Sequence, residues 1–198
     1  MYAAAHDGYT WLGDVAHTVS GWRTLGYADL GWEDFYGFYA ASSPYVLFVS
    51  GNSPYQTAQQ LFDAMRGDPS MKWGNAGLGS INQLTGSLML EKLGLKGNSV
   101  PYDGGRSAAI KVVAGEVTWS WCGLSDILDL AQSGAIRILG ICDSSPREID
   151  CAKGNYTVPS LLDDYPELSD LQGLLYWGFR VSRDTPADAV AKIRDAFQ

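Results

Sequence analysis

Trp73-Gly74-Asn75-Ala76-Gly77-Leu78-Gly79-Ser80-Ile81-Asn82-Gln83-Leu84 passes from strand to glycine turn to helix start without an intervening loop. Ser80 followed by Gln83 has the spacing of a capping box, which makes Ser80 the expected N-cap. Glycines at 77 and 79 remove the Cβ atoms that would keep a ligand off the backbone, and the first N–H groups of the helix have no intrahelical acceptor. Unpaired donors at the positive end of a helix dipole suit an anion. The same residues also suit a tight strand-to-helix turn that merely needs glycine. No Gly-Lys-Ser/Thr follows, so the turn is not a P-loop, and it is not a GxGxxG fingerprint.

Outward from this stretch the βα pattern repeats. The sequence predicts strands at 72–75, 99–102, 117–121 and 136–141, with helices from Ser80 to about Leu93, from Ser107 to Ala114 and from Ser125 to Gln132. Upstream, Tyr9-Thr10-Trp11-Leu12 and Tyr45-Val46-Leu47-Phe48-Val49 read as strands. Ser53 and Pro54 open a helix whose Ala58, Leu61, Phe62 and Met65 share one face. Residues 143–172 read as a loop-rich return between lobes. Strand-like Leu174-Leu175-Tyr176-Trp177 and a helix opened by Thr185-Pro186-Ala187-Asp188, burying Ala189, Val190, Ile193 and Phe197, close the chain. Strands alternating with helices of this length imply an α/β fold with mainly parallel sheets.

Two further loops arrive at the same sheet edge, because parallel strands present their C-terminal ends together. In Val100-Pro101-Tyr102-Asp103-Gly104-Gly105-Arg106-Ser107, Arg106 offers a fork for a carboxylate or a solvated charge at a helix start. Tyr102 suits a ligand wall and sheet packing equally. In Trp119-Ser120-Trp121-Cys122-Gly123-Leu124-Ser125, Ser125 offers a hydroxyl and a helix start. Trp119 and Trp121 share a face that fits either the core or an apolar wall.

Composition narrows the functions. Fourteen Lys and Arg against 22 Asp and Glu give a net charge of -8, so no positive field exists to draw nucleic acid. An anionic ligand must be held by local dipoles in a recess. Cys122, Cys142 and Cys151 show no C-x-x-C spacing, and His6 and His17 are too few to complete a zinc site, so neither metal nor cofactor is expected. Cys142 and Cys151 are spaced to pair in an oxidising compartment, leaving one thiol free. No Gly-x-Ser-x-Gly elbow or acid/base spacing marks an enzyme. The start Met1-Tyr2-Ala3-Ala4-Ala5-His6 lacks the pattern of a signal peptide, and no apolar run is long enough to span a membrane.

In order along the chain, the motifs resemble the tripartite tricarboxylate transporter substrate-binding family, also called Bug or TctC receptors. Asp7-Gly8-Tyr9-Thr10-Trp11-Leu12-Gly13 is similar to that family's D-G-Y-T-L-L. Gly74 to Ser80 resembles its A-G-x-G-S segment, and Val100 to Gly105 resembles V-P-Y-K-G-G. Ala114-Gly115-Glu116-Val117 resembles G-G-Q-V, and Ser133 to Leu139 resembles A-G-K-L-R-A-L. Val158-Pro159-Ser160-Leu161 stands for V-P-T-L, and Tyr176 to Phe179 with Asp184-Thr185-Pro186 for W-x-G-L and G-T-P. Thr118 and Asp103 stand where the family has Asp and Lys.

The resemblance implies a type II periplasmic-binding-protein-like fold of two lobes. Residues 1–50 and 143–198 would form lobe one, incomplete because the family's first strands, its P-F-x-P-G-G loop and its C-terminal tail have no counterpart, and residues 51–142 would form lobe two. It implies a periplasmic or extracytoplasmic receptor that captures a small organic acid, whether a di- or tricarboxylate, an acidic amino acid or an aromatic acid, and delivers it to membrane transporter subunits. The family's lobe-two grip maps onto Ala76, Gly77, Leu78, Gly79 and Ser80. An open sheet edge would instead suit an interaction module or a homo-oligomer.

Overall fold

The computed structural model describes residues 4–15, 18–23, 25–151, 154–171 and 174–197. Met1-Tyr2-Ala3 and His17 lie outside the described residues. In chain order the elements are β1 (Leu12–Val15), α1 (Thr18–Trp22), β2 (Phe35–Ser50), α2 (Ala58–Gly67), β3 (Lys72–Asn75), α3 (Ile81–Lys92), β4 (Asn98–Pro101), α4 (Gly105–Val113), β5 (Trp119–Gly123) and α5 (Leu128–Gln132). They continue with β6 (Ile136–Ile141), β7 (Arg147–Ile149), β8 (Tyr156–Val158), α6 (Leu161–Asp164), β9 (Leu174–Ser182) and α7 (Ala187–Ala196). No helix among the described residues is long and apolar enough to cross a membrane.

The chain divides into two compact units. The larger, Ser43–Leu174, carries a sheet in the order β6-β2-β5-β3-β4. β3 runs parallel to β4 and to β5, and β2 runs antiparallel to β5 and β6 between them. Four strands therefore share one direction and bring their C-terminal ends to one edge. On one face Val46, Phe48, Ala109, Val112, Ile127, Ile138 and Ile141 form an apolar cluster. On the other, Trp73 stacks on Trp119 at 5.1 Å and Tyr45 on Trp121 at 5.7 Å. α3 approaches this aromatic layer through Gly86, where a Cβ would lie 2.8 Å from the Trp73 ring. Trp119 and Trp121 are fully buried, so both belong to the core.

In the smaller unit, Met1–Ser42 with Leu175–Gln198, β1 pairs antiparallel with β9, and β9 lies beside β2. α7 covers this sheet by burying Val190 and Ile193 against Phe38 and Val181, with Phe197 packed at the margin.

Several boundaries differ from the sequence expectation. The larger unit begins at Ser43 rather than 51 and runs to Leu174 rather than 142. Tyr45 to Ser50 pair with β5 and β6, and Ile149 and Val158 of the β7–β8 hairpin join the apolar cluster, so the expected return between lobes is part of the larger unit. β1 begins at Leu12 because Asp7 Oδ1 accepts the Tyr9 N–H and Gly8 adopts φ +90°, holding the preceding residues in a turn. Thr57, not Ser53, caps α2 by accepting the Gln60 N–H, while Ser53 accepts the Tyr55 N–H. Cys122, Cys142 and Cys151 are free thiols; Cys142 Sγ donates to the Leu171 carbonyl and Cys151 Sγ to that of Ala131.

Candidate functional site

The turn after β3 is built by two amide side chains. Asn75, fully buried, donates to Ser99 Oγ and accepts the Gly77 N–H at 3.0 Å. Gly77 and Gly79 adopt φ of +115° and +71°, values that side chains with a Cβ rarely tolerate. Ser80 caps α3 by accepting the Gln83 N–H at 3.2 Å, as expected. The Gln83 side chain reaches back one residue further than the capping box requires and accepts the Gly79 N–H at 2.6 Å. The Ser80 N–H donates to the Gly77 carbonyl. With these donors used internally, the N–H groups of Leu78, Ile81 and Asn82 have no acceptor among the described residues. Leu78 is 71% exposed at the tip. Ser80→Ala is expected to lower stability by about 1 kcal/mol, the usual value of an N-cap, measurable by urea unfolding.

The second loop lies against the first. The Tyr102 N–H donates to the Asn75 carbonyl, and the Tyr102 carbonyl lies 3.6 Å from where a Gly77 Cβ would be. Gly104, at φ +100°, starts α4. The Arg106 fork faces Asp129, donating two bonds of 2.7 Å to its carboxylate and one of 3.2 Å to the Asp126 carbonyl. The guanidinium holds Asp129 below the ordinary carboxylate pKa. Arg106 is thus paired within the chain rather than open as a fork.

Ser125 differs in another way. Ile127, with φ -134° and ψ 4°, separates a 3-10 turn at Leu124–Asp126 from α5, so Ser125 caps no helix. Its N–H donates to Ser43 Oγ.

Asp126, which the sequence did not single out, lies beside this second loop. Its Oδ2 lies 2.7 Å from where a Gly105 Cβ would be, against the start of α4. Burial raises its pKa above the ordinary 3.8, partly offset by Arg106. A group with a raised folded pKa favours folding below its unfolded pKa and loses that contribution as pH rises through the folded value. Asp126→Asn is therefore expected to raise the urea midpoint at neutral pH, with the gain vanishing once the pH falls below about 3.8.

A separate cavity of about 610 Å³ lies between the Gly51-Asn52 turn, β6 and β8. Its Arg137 guanidinium is held by the carbonyls of Gly51, Ser53 and Tyr55. None of the expected site residues lines it. No group of three or more His, Cys, Asp or Glu side chains among the described residues is placed to hold a metal ion.

Comparison with solved structures finds the same fold in proteins described as periplasmic or solute-binding. A protein of Rhodopseudomonas palustris, MatC with bound malate, superposes with a TM-score of 0.79 at 21% identity, over 98% of this chain and 65% of that one. A second R. palustris protein, with adipate, gives 0.80 at 21% identity over 98% and 64%. A ligand-free TctC solute-binding protein from Polaromonas gives 0.70 at 20% identity, over 98% and 64%. The chain spans just under two thirds of their length. The family model of the tripartite tricarboxylate transporter family receptor, TctC, matches residues 1–198, and the chain belongs to that family. No curated protein sequence matches it.

Proposed function

We propose that this chain binds a small organic carboxylate at the edge of the larger unit formed by Ala76 to Ser80 and Tyr102, without transforming it. In this reading it serves as an extracytoplasmic receptor that passes the acid to the membrane subunits of a tripartite tricarboxylate-type transporter. The observation that carries the proposal is the turn itself: Gly77 and Gly79 at positive φ, with the Leu78, Ile81 and Asn82 N–H groups left open at the start of a twelve-residue helix. Family membership supports it, as do the malate and adipate bound by the two R. palustris proteins.

Thermal denaturation against a panel of di- and tricarboxylates, acidic amino acids and aromatic acids tests the proposal. A ligand at 100 times its Kd adds about 2.7 kcal/mol to the native state, so the melting temperature should rise for at least one acid. No shift with any acid at millimolar concentration would contradict it. Because Asp129 occupies the Arg106 fork, Arg106→Ala is expected to change carboxylate affinity by less than threefold in calorimetric titration; a loss of tenfold or more would make Arg106 a direct contact.

A further inference from the structure

We infer that the cavity between the Gly51-Asn52 turn, β6 and β8 is a second binding site, which takes a small oxyanion on a hydroxylated body, of the kind a sugar acid or a sugar phosphate presents. This site does not depend on the carboxylate reading above, since it uses other residues in another place.

β2 runs antiparallel to β5, with Val49 opposite Trp119 at the start of β5, so the Gly51-Asn52 turn lies at the sheet edge opposite the Gly77 turn. A Cβ on Gly51 would collide with the Gly134 carbonyl, and the Gly51 N–H donates to the Ala135 carbonyl at 2.8 Å. The turn is thereby seated on the start of β6. Every residue that lines the cavity, from Gly51 to Asp164, belongs to the larger unit, so the site is complete within it.

Arg137 is half-buried and is the one cation lining the cavity. Its Nη1 donates to the carbonyls of Ser53 and Tyr55 at 3.2 and 3.3 Å, and its Nη2 to that of Gly51 at 3.0 Å. A guanidinium carries five N–H groups, so Nε–H and one N–H of Nη2 are left without an acceptor among the described residues. Neighbouring donors of this kind are what a carboxylate or phosphate engages as a pair. The three partners are neutral carbonyls, and Arg137 enters no ion pair among the described residues. A half-buried charge held in this way is fixed in place but not neutralised, and an anion supplies what is missing.

Two further donors reach the same space. Thr57 caps α2 by accepting the Gln60 N–H, which leaves the N–H groups of Ala58 and Gln59 without an acceptor among the described residues. The walls describe the rest of the ligand. Ile136, Leu139 and Leu161 line the cavity but are each only 2% exposed, so they offer little apolar surface. Asn52, Gln56, Gln59 and Thr157 are exposed there, and their amides and hydroxyl both donate and accept. At about 610 Å³ the cavity is far larger than a bare phosphate and falls within the range of small-molecule sites. An anion that carries hydroxyl groups satisfies such walls, whereas one with an alkyl body leaves them unpaired.

The test is calorimetric titration of the whole chain, at low ionic strength, with gluconate, glucose 6-phosphate, inorganic phosphate and glucose. Arg137 is left in place because it holds the Gly51 turn. Thr157→Glu adds a carboxylate to the cavity and Asp164→Asn removes the one acid that lines it, with circular dichroism to check the fold of each variant. Gluconate, glucose 6-phosphate or both are expected to saturate, the better of the two identifying the acid group, with glucose and inorganic phosphate at least roughly tenfold weaker. Affinity for the better anion is expected to fall about fivefold in Thr157→Glu and to rise about twofold in Asp164→Asn, a gain that partial unfolding cannot imitate. Gly79→Val, at the opposite edge, is expected to leave it unchanged. No saturable binding of either anion at about 10 mM would overturn the inference. Equal binding of glucose would remove the role of the charge, and equal binding of inorganic phosphate that of the body; either result overturns it. Affinity that ignores both cavity variants, or that is lost in Gly79→Val, would also overturn it and would leave the carboxylate reading standing.

Discussion

Replacing Trp119 with alanine is expected to lower the unfolding free energy by about 3–5 kcal/mol, the range found when a buried Trp or Phe is truncated in a close-packed core. Trp119 is fully buried on the central strand β5, pairs in register with Trp73 of β3 and stacks on it at 5.1 Å with the rings 10° from parallel. α3 is packed against the same layer at Gly86, so the loss also loosens the helix that carries the proposed site. Trp119→Phe is expected to cost well under half as much. It keeps an aromatic stack and removes an indole N–H that has no hydrogen-bond partner. Urea unfolding followed by far-ultraviolet circular dichroism measures both. Equal losses for the two variants would mean that the indole, rather than the filled layer, is what matters.

Gly79→Val is expected to weaken binding of the best carboxylate by at least roughly tenfold, about 1.4 kcal/mol. Gly79 adopts φ +71°, a region that β-branched residues avoid. A valine there must either rotate the backbone, displacing the neighbouring Leu78 and Ile81 N–H groups, or remain strained. Gly115→Val separates strain from site. Gly115 also has a positive φ, +76°, with open space around it, but it precedes β5 and so lies at the opposite edge of the sheet. It is expected to destabilise comparably and to leave affinity within twofold. Similar loss of affinity in both variants, by calorimetric titration at a temperature where both are folded, would assign the effect to stability alone.

These residues show which parts of the molecule a sequence declares. The larger unit was legible wherever its signals are local. A capping serine three residues before Gln83, glycine on either side of Leu78, and helix faces such as Ala58, Leu61, Phe62 and Met65 all lie within one or two turns of each other, and all four residues of that face are buried. The full extent of β2 was not legible. Its sixteen residues include Tyr39 to Ser42, all exposed and without alternation, so only the buried run from Tyr45 to Val49 reads as strand.

The chemistry of the site was legible by the same measure. The turn at Gly77 to Ser80 carries its own evidence. The fate of Arg106 depends on Asp129, 23 residues away, and that of Ser125 on Ser43, 82 residues away, pairings that no local pattern encodes. Asp126 lacked a signal for the same reason: its position matters only because α4 begins beside it in space. The overall resemblance to TctC receptors was visible because it rests on ordered short motifs rather than on contacts.

The central claim is that the start of α3 seats the carboxylate. Titrating isotope-labelled protein with the acid that gives the largest thermal shift, and following the backbone amide resonances by two-dimensional NMR, tests it most directly. Saturable shifts largest at Leu78, Ile81 and Asn82, with smaller ones at Gly77 and Tyr102, are the predicted result. Saturable binding whose shifts leave residues 76–82 untouched, or fall instead on the Gly51 and Arg137 cavity, would contradict it.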